Sequence, residues 1–330
     1  MNLSTVQRKI VETPGNLVVQ SSAGTGKTHS MVAKIETEIK ANHSHKVIAA
    51  ITFTIKAANE IKDRLTIDIA RHFIGTNNSF AIEEIIRPFL KDVYGSEYDV
   101  VMNTDYSVHI EDFKAGLDKI KREQIICSYG DSKKDFVFDL AFDIVEKSEA
   151  CRLYLQAKYF KIYIDEYQDC DESMHKFFMY LCEQLGIDTF IVGDKKQSIY
   201  IWRGAYPEAF DSILERTNFQ SVFMGDNFRS CPQIQNYSNL LYEETRTLYS
   251  PIENLENIIW LDTVQQEWTR KVLQHIDLKK RTALLRFSNA AAENGASELT
   301  QSGVGFIYIP QLPIADITTE TAWIYNAIAK

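Results

Sequence analysis

LVVQSSAGTGKT, residues 17–28, is the stretch on which the fold turns. Residues 17–20 read as a short buried strand, and a helical stretch runs from about 27 to 41. Between them lies a turn holding Gly24 and Gly26. In that context the backbone N–H groups of Ser22, Ala23, Gly24, Thr25 and Gly26 can close round phosphate oxygens with no Cβ in the way. The helix N-terminus adds partial positive charge. Lys27 would reach the outer phosphates, and the Thr28 hydroxyl would ligate Mg²⁺. One departure stands out: Ser21 replaces the first glycine of the usual G-x-x-x-x-G-K-[ST] spacing. The bland alternative is a chance glycine-rich turn.

Outward from this point, apolar runs at 46–54, 160–165, 189–194 and 221–224 read as further strands, with helical patterns such as 56–72 between them. Strands alternating with helices predict an α/β fold built on a parallel sheet. Residues 76–155 break the rhythm and read as a mostly helical insertion. After Ser230 a helix at 232–246 leads into a second run, with strands expected at 257–262, 281–287 and 303–310 and a helix near 289–301. The expected domains are therefore 1–75 with 156–230, the insertion 76–155, and 231–330.

A length of 330 residues suits two domains, and 45% hydrophobic residues is enough for a core. No apolar run approaches the roughly 18 residues of a membrane span, and the N-terminus lacks a signal-peptide apolar stretch, which points to a cytoplasmic protein. The 5 cysteines are scattered and never spaced C-x-x-C, arguing for reduced thiols and against a disulfide framework, a zinc site or an iron–sulfur cluster. The net charge of -9 argues against a general polyanion binder. Residues 1–75 nevertheless hold 10 Lys/Arg against 6 Asp/Glu, so anion-binding surface is expected to be local.

IYIDEYQD, residues 162–169, puts Asp165 and Glu166 at the end of a buried strand, where open α/β sheets bind ligands. Asp165 would hold Mg²⁺ and Glu166 would polarise an attacking water. A solvated acidic loop is the alternative. IVGDKKQSIYIWRGA, residues 191–205, sets Tyr200, Trp202 and Arg203 in a loop beside cationic groups. Base stacking on such rings contributes about 1–3 kcal/mol per base and tolerates any sequence. The alternatives are a hydrophobic plug over the sheet for Tyr200 and Trp202, and for Arg203 a surface ion pair with Asp165 or Glu208.

ITFTIKAANEIKDRL (51–65), the 191–205 block and GDNFRSCPQIQNYSNLL (225–241), in this order after the glycine-rich turn, resemble the superfamily 1A DNA helicases of the UvrD/Rep/PcrA type. With FIGTNNSFAIEEIIRPFLKDVYG (73–95), the chain resembles more closely still the UvrD-like helicase subunit of the Gabija antiphage system. The resemblance implies a RecA-like P-loop NTPase domain split by the insertion, a partial second RecA-like domain from 231, ATP and Mg²⁺ as cofactors, and 3′ to 5′ movement on single-stranded DNA. It further implies an OLD-family nuclease as partner and a setting in phage defence. By the same resemblance Gln7 reads the adenine edge, Phe228 stacks on adenine, Arg229 touches the γ-phosphate, and Gln197 links that phosphate to the DNA site. Phe53, Thr54, Tyr200, Trp202 and Arg203 would contact the single strand.

Two later motifs of that family, T-x-H-x-x-K-G-L-E and R-[RK]-L-x-Y-V-A-x-T-R-A, do not occur; His275, Arg281 and Arg286 lie in other contexts. The expectation is a second motor domain that stops after about three strands, either as a fragment or interrupted frame or completed by a partner; the chain alone is expected to bind ATP, to turn it over barely above background and not to unwind duplex. An ATP- and DNA-binding regulatory subunit is the alternative from another class. A P-loop kinase for a small metabolite leaves the Gln197–Trp202 block unexplained.

Overall fold

The computed structural model describes residues 3–307 apart from 100, 199–203, 242, 253–257, 263–266, 278 and 281. The chain divides into two compact units, Met1–Ile252 and Glu253–Lys330.

The first unit runs α1 (Thr5–Glu12), β1 (Leu17–Ser21), α2 (Lys27–Ala41), β2 (Val47–Thr52), α3 (Ile55–Arg64) and β3 (Phe73–Thr76). Then come α4 (Asn77–Phe80), a π-helical turn (Ala81–Ile86), α5 (Arg87–Tyr94), β4 (Asn103–Ile110), α6 (Phe113–Glu123), β5 (Ile125–Tyr129), α7 (Phe136–Lys147) and α8 (Glu149–Lys158). It closes with β6 (Tyr159–Ile164), α9 (Glu172–Glu183), β7 (Asp188–Gly193), α10 (Pro207–Leu214), β8 (Gln220–Met224) and α11 (Pro232–Leu240). Six strands form one wholly parallel sheet in the order β3-β2-β6-β7-β1-β8. Because they are parallel, Ser21, Thr52, Ile164, Gly193 and Met224 all end on the same edge.

Side chains alternate across a strand, and here both faces are buried, as parallel sheets require. Val18, Ala49, Ile51, Ile162, Ile164 and Ile191 pack on one side with Phe80, Phe138 and Phe177. Leu17, Val19, Ile48, Ala50, Phe190 and Val192 pack on the other with Ile10, Met31, Val32, Ile35 and Ile61. Each such side chain contributes about 1.5–3 kcal/mol by leaving water. The second face also buries charge. Lys34 and Lys161 are fully covered and both reach Glu38 Oε1, at 2.8 and 2.9 Å. Tyr163 donates its hydroxyl to the other Glu38 oxygen. Lys34 also donates to the Thr13 carbonyl at 2.5 Å, and Lys161 to the Gly15 carbonyl at 2.9 Å. This network ties the loop before β1 to α2 and β6.

Residues 76–155 are largely helical, and they also carry a feature the sequence pattern did not show. β4 and β5 pair in parallel around α6 as a small βαβ unit. The β4 side chains are almost all exposed, so no apolar alternation marks the strand. Its pairing is also broken: Asn103 and Thr104 meet Ile125 and Ile126, whereas His109 and Ile110 meet Ser128 and Tyr129. β3 was likewise hidden, being only four residues long and ending where the segment read as insertion begins.

The second unit contains α12 (Trp268–Leu273) and α13 (Asn289–Gln301). The Trp268 indole N–H donates to Glu298 at 2.5 Å, and the Arg286 guanidinium lies 4.5 Å above the Trp268 ring. The strands expected at 257–262, 281–287 and 303–310 are corrected here: their described residues lie in no strand. A lone extended segment has no ladder to join, so apolar content by itself does not make it a strand.

Candidate functional site

The turn after β1 has the backbone the glycines permit. Gly24 and Gly26 take φ of +73° and +84°, the left-handed region that side chains disfavour. A Cβ on Gly24 would lie 2.5 Å from Asn227 Oδ1, and one on Gly26 would lie 2.8 Å from Gln7 Nε2. The turn is thus clasped from two sides. From α1, Gln7 donates to the Thr25 carbonyl at 3.2 Å. From the segment after β8, Phe228 N–H donates to the Gly24 carbonyl at 2.9 Å. Ser22 N–H donates to the Met224 carbonyl at 3.0 Å, and its hydroxyl accepts from Lys196 Nζ at 2.6 Å. Ser21, in place of the first glycine, donates its hydroxyl to the Gly193 carbonyl at 2.8 Å, so it ties β1 to β7.

Lys27 and Thr28 open α2, with Gly26 as the residue before it. Lys27 Nζ lies 2.8 Å from Glu166 Oε2. Glu166 follows β6 with φ +51°, a turn that swings its carboxylate toward the glycine-rich loop. Asp165 is buried, and burial together with the neighbouring Glu166 carboxylate pushes its carboxyl up. A buried carboxylate that has only the charge of Lys27 nearby and forms no ion pair among the described residues fits a Mg²⁺ partner, and so does the Thr28 hydroxyl at the helix start. Asp169 Oδ1, also buried, has no hydrogen-bond partner among the described residues, and its carboxyl is pushed up to about 7 by burial and by Glu166. Among the described residues no group of three or more His, Cys, Asp or Glu could cage a metal alone. This suits Mg²⁺, which is commonly held by one or two protein groups plus phosphates.

A polar chain leads away from Glu166. Gln168 donates from Nε2 to Glu166 Oε2 at 2.8 Å and accepts from Asp194 N–H at 2.9 Å through Oε1. Gln197 Nε2 donates to Asp194 Oδ2 at 2.6 Å. Gln168 and Asp194 are buried and were not singled out from the sequence. The only signal was their place inside the DEYQD and GDKKQ motifs, since a polar residue next to a strand reads as solvated. Asn227, which accepts from Arg229 N–H at 2.8 Å and shapes the turn carrying Phe228, was missed for the same reason.

Gln7, Gly26, His29 and Phe228 line a cavity of about 440 Å³ beside the loop, together with Leu3 and Ser4. Phe228 is 64% exposed, a large ring left bare at the mouth of that cavity. Arg229 is exposed one residue further on. Phe53 is half-buried against the core at the end of β2, and Thr54 already caps α3 by accepting from Ala57 N–H at 3.1 Å. Tyr200, Trp202 and Arg203 lie outside the described residues, as does Arg281.

A parallel sheet with a glycine-cradled phosphate loop after β1 and a carboxylate pair after β6 on the same edge defines a P-loop nucleoside-triphosphatase. The chain belongs to the UvrD/Rep helicase family: the UvrD/REP helicase N-terminal domain matches residues 3–135 and 133–218. It is 43% identical over 333 residues to Gabija protein GajB of Bacillus cereus, covering 98% of this chain and 67% of that one. It is 27% identical to ATP-dependent DNA helicase Rep of Salmonella typhimurium, over 73% of this chain and 43% of Rep. It is 29% identical to DNA helicase II of Haemophilus influenzae, over 72% of this chain and 40% of that protein. The chain thus spans about two thirds of the first relative and less than half of the other two.

Proposed function

We propose that this protein is an ATP-driven motor on single-stranded DNA, moving 3′ to 5′, in which the sheet edge binds MgATP and the loop after β7 grips the strand. The observation that carries this reading is the unbroken polar path Lys27–Glu166–Gln168–Asp194–Gln197. It runs from the phosphate loop to within three residues of Tyr200.

In this reading Ser22, Ala23, Gly24, Thr25 and Gly26 wrap the phosphates, and Lys27 and Arg229 neutralise the outer ones. Thr28 and Asp165 hold Mg²⁺, which when bound would spread the charge of the transferring phosphoryl group. Glu166 orients water and holds its proton. Phe228 stacks on the base. Gln7 uses one lone pair toward Ser4 N–H and one N–H toward Thr25, leaving one acceptor and one donor of its amide for the adenine edge. Phe53, Thr54, Tyr200, Trp202 and Arg203 contact the single strand, with Gln197 reporting phosphate state to them. In the same reading residues 1–75 with 156–230 form the first motor domain, 76–155 its insertion, and 231–330 opens a second. The proposal extends to a role in phage defence, which the match to Gabija protein GajB supports, and, on the resemblance alone, to a nuclease of the OLD family as partner and to the cytoplasm. Among the described residues no helix is long and apolar enough to cross a membrane.

The test is binding of a fluorescent single-stranded oligonucleotide in the presence of MgATP, of MgADP and of neither. Nucleotide-dependent affinity is expected. A protein that binds MgATP and shows no affinity for the oligonucleotide in any state would overturn the motor reading.

A further inference from the structure

Two successive serines of the phosphate loop are held by one connection, the turn that follows β7. The Ser21 hydroxyl donates to the Gly193 carbonyl at 2.8 Å, at the last residue of β7. Three residues on, Lys196 Nζ donates to the Ser22 hydroxyl at 2.6 Å. β1 and β7 are already neighbours in the sheet, with Gln20 opposite Gly193. The loop and the turn are thus fastened to each other without Lys196. Ordering a long flexible stem offsets much of what one bond to a neutral hydroxyl returns, so fastening alone is a poor account of this lysine.

The direction of Lys196 is set at its backbone. The short helical turn Lys195–Gln197 starts at Asp194, which is buried and accepts the Lys196 N–H at 3.1 Å through Oδ1. The neighbouring Lys195 goes elsewhere, to Asp211 of α10 at 2.7 Å. Lys196 itself is half-buried, and Ser22 is buried. The contacts close a ring. Lys27 Nζ meets Glu166, Gln168 joins Glu166 to the Asp194 N–H, Asp194 holds Lys196, and Lys196 returns to Ser22. The ring therefore starts and ends on the phosphate loop, with the Lys27 ammonium at one end and the Lys196 ammonium at the other. The carboxylates of Asp165, Glu166 and Asp169 follow β6 on the same edge of the sheet. A triphosphate brought beside them gains from a second cation.

We propose that Lys196 is a second cation for the outermost phosphate of ATP, acting from the β7 side as Lys27 does from α2, with the Ser22 hydroxyl as its alternative acceptor when a diphosphate is bound. This rests on the motor reading above and deepens its nucleotide site. An anionic oxygen outcompetes a neutral hydroxyl for an ammonium, and a flexible stem makes the exchange without moving the backbone. The lysine thereby distinguishes a triphosphate from a diphosphate, and it does so one residue from Gln197.

The experiment is isothermal titration of the full chain with MgAMP-PNP, a non-hydrolysable triphosphate, and with MgADP, for wild type, Lys196→Met and Lys195→Met. Methionine keeps most of the stem and removes the charge. Lys196→Met should lose about tenfold in affinity for MgAMP-PNP and about twofold or less for MgADP, with Lys195→Met like wild type for both. A lysine that only fastened the loop would lower both affinities together. An unchanged ratio of the two affinities in Lys196→Met, or the same change of ratio in Lys195→Met, would overturn the proposal and leave the motor reading standing. A wild-type protein that binds neither nucleotide would overturn both.

Discussion

Lys27 Nζ lies 2.8 Å from Glu166 Oε2, so the cation of the phosphate loop and the carboxylate after β6 hold each other directly. A γ-phosphate entering the loop competes with Glu166 for Lys27. Glu166→Gln should therefore keep or slightly tighten MgATP binding while abolishing hydrolysis. Lys27→Ala should weaken binding roughly tenfold to hundredfold, the scale of a charge-assisted hydrogen bond. Isothermal titration with MgATP separates the two, and equal losses would mean Glu166 is itself a binding group.

Gly24→Ala meets two obstacles at once: a left-handed φ, and a Cβ 2.5 Å from Asn227 Oδ1. The loop and the 227–229 turn should move apart. Nucleotide affinity should fall at least tenfold with a drop in melting temperature of only a few degrees, consistent with about 1–2 kcal/mol of strain. Gly186→Ala is the comparison, because it shares a positive φ and has no atom within 4 Å of the added Cβ.

Gln168 joins Glu166 to Asp194. Gln168→Ala leaves the buried Asp194 N–H without its acceptor, at a cost of about 1–3 kcal/mol. The more telling effect is on coupling. Nucleotide and single-stranded DNA should each still bind, while the effect of one on the affinity for the other shrinks toward none. Persisting coupling would mean that the path through Gln168 is structural only.

Glu38→Gln should be severe. It leaves Lys34 and Lys161 buried with no counter-charge, and breaking a buried pair in this way costs about 3–5 kcal/mol. The Glu38 carboxyl is held low by Lys161 and Lys34 against the opposing effect of burial. Its contribution is accordingly present above the unfolded carboxyl range and lost as pH falls through the lower folded value. Denaturant melts from pH 7 to 3 would show it.

His175 runs the same way in pH for the opposite reason. Burial and the nearby Arg216 charge push its imidazole down to about 4, and Tyr167 and Tyr206 pack beside it. The unfolded chain takes up that proton near 6.5, so His175 draws stability away as pH falls from about 6.5 to 4. Wild type should lose about 2 kcal/mol more than His175→Gln over that window. Parallel melting curves for the pair would refute this.

Much of the first unit could be read from residues alone. Strands β1, β2, β6 and β7 are mostly apolar, which is what burial on both faces demands, β8 shows a shorter apolar run with Phe223 exposed, and α2 and α13 carry their spacing plainly. β4 could not be read, because an exposed strand has no pattern to read. The strands expected after residue 256 misled, because apolar runs state what would be buried and not whether a partner strand is present. At the site, the groups proposed to meet phosphate stand in recognisable motifs. The groups that connect them, Gln168, Asp194 and Asn227, are polar residues whose meaning lies in burial and in a second chain segment far away in sequence.

The crossover from β3 to β6 carries the whole insertion, yet its aromatic side chains belong to the same core as the sheet. Phe80 packs edge-on to Phe177, and Phe138 packs on both Phe177 and Phe178 of α9. Cutting the chain at Thr76 and rejoining it at Tyr159 would strip the cover from Ile51, Ile162 and Ile164. The segment is therefore not a detachable accessory. Any length change it tolerates should fall in its outer βαβ unit, and any tilt of that unit would be felt by the layer on which the ATP edge rests.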